Sequence, residues 1–273
     1  MYNSLHDLYW KSPIIVALDR DGLEGAELLV EPLKRRVWGF KIGLQLMTAV
    51  GAWRAVDFLR ELSVENIFLD GKFMGTPDAV FGAVQGVSRI GVSMLTVHCL
   101  GGRAMMKAAA EAARVGNCAG RPAILGVTIL TSMDQSDLRE MGFAPKTEMP
   151  GIVLHLASLA KEAGLDGVIA SPYEAEMLRK RFGHGFRIVT PGIRPKWWTA
   201  GKDDQKRFME PQEALRLGAD QFVIGRPITE PSSPMTPLET IQRIEWDIEE
   251  VKDLVCERVA AIRLQATLKQ LSR

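Results

Sequence analysis

Two aspartates and two lysines stand out in the first third of the chain: Asp19, Lys41, Asp70 and Lys72. Each falls at the end of a short, apolar, β-rich run or just beyond one. Carboxylates and ammonium groups that alternate hold one another ionised and oriented. They also place a proton donor beside a site where negative charge develops. One strand-end charge alone reads as a solvated loop residue; four of alternating sign read as a site. Later runs lead into Thr131-Ser132, Thr190-Pro191-Gly192 and Gly225-Arg226. Glycine lets the backbone approach a ligand and arginine adds a bidentate cation, so Gly225-Arg226 suits a phosphate. Gln205, in the stretch Asp203–Arg207 (DDQKR), is a neutral hydrogen-bonding group that could reach over the ligand.

Other polar landmarks are weaker. His98 ends the fourth run beside Gly101-Gly102, with no second histidine placed to share a metal, and reads as a structural group. Trp197-Trp198 could stack on a base or anchor a loop. The lysines among the aspartates argue against a magnesium site.

The elements that must position these groups are eight apolar runs. They are Pro13–Leu18, Val37–Ile42, Asn66–Leu69, Ser93–Val97, Ala123–Ile129, Gly167–Ala170, Phe186–Val189 and Gln221–Ile224. Fully apolar runs suit parallel strands buried on both faces. Helix-forming stretches lie between them, such as Met105–Ala113 and Leu154–Ala163. Eight β–α units in 273 residues predict one domain over residues 1–273, a closed (β/α)8 TIM barrel, ending in a long amphipathic helix, Leu238–Leu271. An open doubly wound sheet is the alternative, weakened because no GxGxxG follows a strand. In a barrel, chemistry gathers where the strands end, and phosphate is often held by the loops after strands seven and eight.

Composition narrows the partners. A formal net charge of +1 gives no reason to expect nucleic acid or an anionic membrane. Cys99, Cys118 and Cys256 fit neither a zinc pattern nor a disulfide framework, which points to a reducing, cytoplasmic setting. The opening MYNSLHDLYW lacks the pattern of a signal peptide, and the apolar runs are too short to span a bilayer.

The run Ile67–Val80, IFLDGKFMGTPDAV, resembles the D-x-K-x-x-D-I-x-x-T signature of the orotidine 5′-monophosphate decarboxylase family. So do ALD at Ala17–Asp19, FKIG at Phe40–Gly43, TVH at Thr96–His98 and VTILTSM at Val127–Met133. TPGIRP at Thr190–Pro195, DDQKR, and VIGRPIT at Val223–Thr229 complete the match. The resemblance implies a barrel that decarboxylates orotidine monophosphate to uridine monophosphate in pyrimidine nucleotide synthesis, a carbon–carbon lyase without cofactor or metal. It implies a homodimer with its active sites at the interface. Lys72 would protonate C6 as carbon dioxide leaves, with Asp70 beside the departing carboxylate. Asp19 and Lys41 would contact ribose hydroxyls, and Lys41 would belong to the catalytic array. Ser132 and Pro191 would contact the pyrimidine, and Gln205, Gly225 and Arg226 the phosphate.

The chain departs from the signature at three positions. The second aspartate is Gly75, the isoleucine is Thr76 and the threonine is Ala79. By the resemblance, the partner subunit supplies this segment. Losing one carboxylate from a coupled array weakens decarboxylation. It also leaves open a different lyase or hydrolase reaction on a pyrimidine nucleoside monophosphate, or nucleotide binding without catalysis.

Overall fold

The structure, a computed structural model, describes residues 12–115, 120–144, 146–198, 207–231, 235–258 and 260. Eight strands close into a parallel barrel in chain order: β1 (Ile14–Leu18), β2 (Gly39–Ile42), β3 (Ile67–Phe73), β4 (Met94–His98), β5 (Ala123–Val127), β6 (Gly167–Ile169), β7 (Arg187–Thr190) and β8 (Gln221–Ile224). The closing pair sets Ile14 beside Phe222 and Val16 beside Ile224. This is the (β/α)8 barrel that the alternation of runs predicts. Met105–Ala113 falls within the helix Gly102–Val115, and Leu154–Ala163 overlaps the helix Met149–Glu162.

Each strand buries both faces, which explains its unbroken apolar character. Ile14, Val16 and Leu18 of β1 face the helix layer, while Ile15 and Ala17 point inward. The inward set joins Phe68, Met94, Leu125, Val189 and Val223 to fill the barrel with side chains. Chemistry is thereby left to the strand ends.

Two expectations need correction. The third run does not end at Leu69: β3 continues through Asp70, Gly71 and Lys72 to Phe73. It does so by a bulge, since Leu69 pairs with Leu95 but Phe73 pairs with Val97. The C-terminal helix is not continuous. Pro237–Ile248 forms one helix, a 3-10 turn follows at Glu249–Val251, and residues 252–258 are helical again. The break begins where the Glu249 amide bonds back only three residues, to Trp246. Residue 259 and those beyond 260 lie outside the described residues.

The seventh loop is pinned at both ends. Ile193 bridges to Met209 in parallel pairing, with the Arg194 amide donating to the Met209 carbonyl at 2.9 Å. The Trp197 indole donates to Asp247 at 2.8 Å, under the Arg243 guanidinium. Arg207 forms an ion pair with buried Glu174 after β6. Arg207 does not wholly offset burial, which pushes the Glu174 carboxyl up.

Candidate functional site

The ends of β1, β2 and β3 present the four charged residues as a row. Lys41 Nζ lies 3.3 Å from Asp19 Oδ1 and 3.6 Å from Asp70 Oδ2. Lys72 Nζ donates to the same Asp70 oxygen at 2.6 Å. The order is therefore Asp19, Lys41, Asp70, Lys72, with signs alternating along it. Lys41 and Asp70 are buried, whereas the Asp19 side chain is half exposed at the rim. Burial would raise the Asp70 carboxyl. Lys41 and Lys72, with hydrogen bonds from Lys72 and Thr96, outweigh it and hold the group below the ordinary carboxylate value. Asp70 is thus kept as an anion against two ammonium groups.

Gly43 makes room for this row. A Cβ there would stand 2.5 Å from Asp19 Oδ1 and 2.7 Å from Lys41 Nζ, closer than real atoms approach. The glycine of FKIG is therefore a steric requirement of the Asp19–Lys41 contact.

The row opens into a cavity of about 560 Å³. Asp19, Lys41, Asp70, Lys72, Ser132, Pro191, Gly225 and Arg226, all expected at the site, line it. Gln205 lies outside the described residues. Gly192 has a φ of 75°, the left-handed turn that carries the chain from β7 along the cavity wall. At Gly225 a Cβ would meet no protein atom nearer than Ala17 Cβ, at 3.6 Å. The lining also includes Arg194, which sequence reasoning passed over inside TPGIRP. Its guanidinium lies over the Trp198 ring, 5.2 Å from the centroid, and among the described residues Arg194 and Arg226 are the arginines of the cavity wall. Gln45, also missed, lines the rim and donates to Asp21 at 2.7 Å.

Neither tryptophan lines the cavity. Trp197 is tied to Asp247, and the Trp198 indole donates to the Glu230 carbonyl at 3.4 Å. Of the two readings of this pair, loop anchoring is the one these contacts support. His98 stays out of the lining as well; its Nδ1 accepts the Leu100 amide at 3.4 Å. Burial and the Lys72 charge lower its pKa, which suits a neutral acceptor.

The departures from the signature lie just beyond β3. Thr76 caps the helix Pro77–Arg89, accepting the Ala79 amide at 3.4 Å, and Pro77 takes the first helical position. A Cβ on Gly75 would meet only Ala79 and Val80, both at 3.8 Å, so the backbone there has room for a side chain. Among the described residues, no three His, Cys, Asp or Glu side chains group as metal ligands. No helix among them is long and apolar enough to cross a membrane.

Residues 12–241 match the model of the orotidine 5′-phosphate decarboxylase / HUMPS family. The chain is 44% identical over 232 residues to an orotidine 5′-phosphate decarboxylase of Coxiella burnetii, covering 84% of this chain and 95% of that protein. It is 46% identical over 251 residues to one from Moorella thermoacetica, covering 90% and 95%. Among solved structures, it is similar to an orotidine 5′-phosphate decarboxylase from Lactobacillus acidophilus, with a TM-score of 0.73 and 33% identity, covering 87% and 99%. An uncharacterized conserved protein from Geobacillus kaustophilus aligns as well, with a TM-score of 0.73 and 34% identity, covering 86% and 100%.

Proposed function

Because the chain belongs to the orotidine 5′-phosphate decarboxylase / HUMPS family, we propose that it decarboxylates orotidine 5′-monophosphate to uridine 5′-monophosphate in pyrimidine nucleotide synthesis. The relatives that carry this activity in their names align over 84–90% of the chain. They do not favour a different lyase, a hydrolase or a silent binder. The observation that carries the reading is the Lys72 ammonium held 2.6 Å from an ionised Asp70 at the wall of a cavity that also exposes Arg226.

In this reading, the bond between C6 and the carboxylate carbon breaks. Carbon dioxide departs and the bonding pair stays on C6. Lys72 delivers a proton there and is reprotonated from solvent. Asp70 faces the substrate carboxylate and gains as that anion becomes neutral carbon dioxide. Lys41 keeps Asp70 ionised and, with Asp19, receives the ribose hydroxyls. Arg226, Gly225, Gln205 and the added Arg194 hold the phosphate, while Ser132 and Pro191 bound the pyrimidine. Binding energy from the phosphate, remote from the reacting carbon, supports orientation at C6. No metal or cofactor is assigned. The protein is a cytoplasmic homodimer in this proposal, with the segment around Gly75 at the subunit interface.

The test is loss of orotidine monophosphate absorbance with formation of uridine monophosphate. Lys72→Ala is expected to lower kcat by about 10²–10⁴-fold, the scale of one positioned proton donor. It should still bind uridine monophosphate. Restoring the carboxylate with Gly75→Asp is expected to raise kcat by about tenfold or more, equivalent to ~1.4 kcal/mol of transition-state stabilisation. Uridine monophosphate binding without turnover by the unmodified protein would overturn the proposal.

A further inference from the structure

The bulge in β3 has an unusual partner. Between Leu69 and Phe73 the strand advances through Asp70, Gly71 and Lys72, while β4 advances from Leu95 to Val97 through Thr96 alone. Lys72 adopts a φ of 47°, a left-handed conformation rare for a residue with a side chain. Its amide donates to a side chain of the neighbouring strand, Thr96 Oγ1, at 2.8 Å, and that hydroxyl donates to Asp70 Oδ1 at 2.9 Å. Thr96 is fully buried in an otherwise apolar stretch of β4.

We propose that Thr96 is a positioning residue for decarboxylation, its one hydroxyl fixing the Lys72 backbone and the Asp70 carboxylate relative to each other. The inference rests on the decarboxylase reading above. The geometry divides the work of Asp70 cleanly. Oδ1 is committed to Thr96, which leaves Oδ2 turned to Lys72 and Lys41. Without the hydroxyl, the carboxylate loses its fixed rotation. The Lys72 amide loses its acceptor, and the left-handed turn that aims the ammonium loses its tie to β4. A buried polar group left unmatched is costly, so the bulge would relax. Substrate binding need not follow, because the arginines and the ribose contacts lie on other strands.

Thr96→Val keeps shape and removes the hydroxyl. Its kcat is expected to fall about 10–100-fold, with KM and the Kd of uridine monophosphate changed less than about threefold. Thr96→Ser, which restores the hydroxyl, should stay within about threefold of the unmodified enzyme. The groups facing Asp70 are Lys41 from β2, Lys72 on its own strand and Thr96 from β4, with Asp19 beyond Lys41 and His98 further along β4. Of these, only the Thr96 bond is removed, so the acid limb of the kcat profile should move to higher pH in Thr96→Val. Should that variant fail to fold, Thr96→Cys retains volume with weaker hydrogen bonds and is expected to turn over more slowly than Thr96→Ser. The proposal is overturned if the folded valine variant, or failing that the cysteine variant, keeps the serine rate. A loss confined to KM or to thermal stability also overturns it. If the unmodified enzyme does not decarboxylate, the reading of the site fails instead.

Discussion

At the scale of single residues, the charged row shows which part of a site a sequence exposes. Asp19, Lys41, Asp70 and Lys72 were legible because four charges of alternating sign, each at the end of an apolar strand, have few structural uses together. Thr96 and Gly43 were not legible as parts of the site. A hydroxyl inside a strand and a glycine after one are common, and it is the folded geometry that sets Thr96 between Asp70 and Lys72, and Asp19 Oδ1 2.5 Å from where a Cβ on Gly43 would stand. Arg194 stayed hidden because it lies past the turn at Gly192, where spacing no longer gives direction. His98 yields a prediction of its own. Burial and the Lys72 charge depress its pKa from the ordinary 6.5. The folded protein then binds fewer protons than the unfolded chain as pH falls below that value, so stability drops with pH in that window. His98→Asn can still accept the Leu100 amide and does not titrate. Its melting temperature should change less between pH 7 and pH 5 than that of the unmodified protein, as thermal unfolding at each pH would show.

At the scale of elements, seven strands were legible in extent to within a few residues, because burial on both faces writes them as apolar runs. β3 was cut short in the sequence reading because its second half is polar. That half is where the bulge turns the strand into the site, so the irregularity and the chemistry coincide. The C-terminal helix was overextended for the opposite reason. Its amphipathic pattern runs on through a 3-10 turn that periodicity does not register. The family match ends at residue 241, yet described residues beyond it, Ile244, Ile248, Val251 and Val255, are buried in the core. Buried Arg258 donates to the carbonyl of Leu215 at 2.5 Å, in the last turn of the helix Pro211–Leu217, and to that of Ala219 at 3.0 Å, just past its end. Arg258→Met would strand those carbonyls at a cost of about 1–3 kcal/mol. The melting temperature should fall by several degrees while kcat and KM remain as they were; calorimetry beside the decarboxylation assay would check both.

At the scale of the whole molecule, the barrel joins residues from the two ends of the chain. The charged row comes from β1, β2 and β3, and the arginines come from the segments after β7 and β8. β8 and β1 are hydrogen-bonded neighbours, so the two halves of the site meet across the seam where the sheet closes. A nucleotide that spans row and arginines would act as a clasp on that seam. Its binding energy would be spent partly on holding the first and last strands together. The nascent chain, by the same logic, has no complete site until its eighth strand is made. Ligand should then slow amide exchange most in β1 and β8, the strands that any opening of the barrel at this seam must separate.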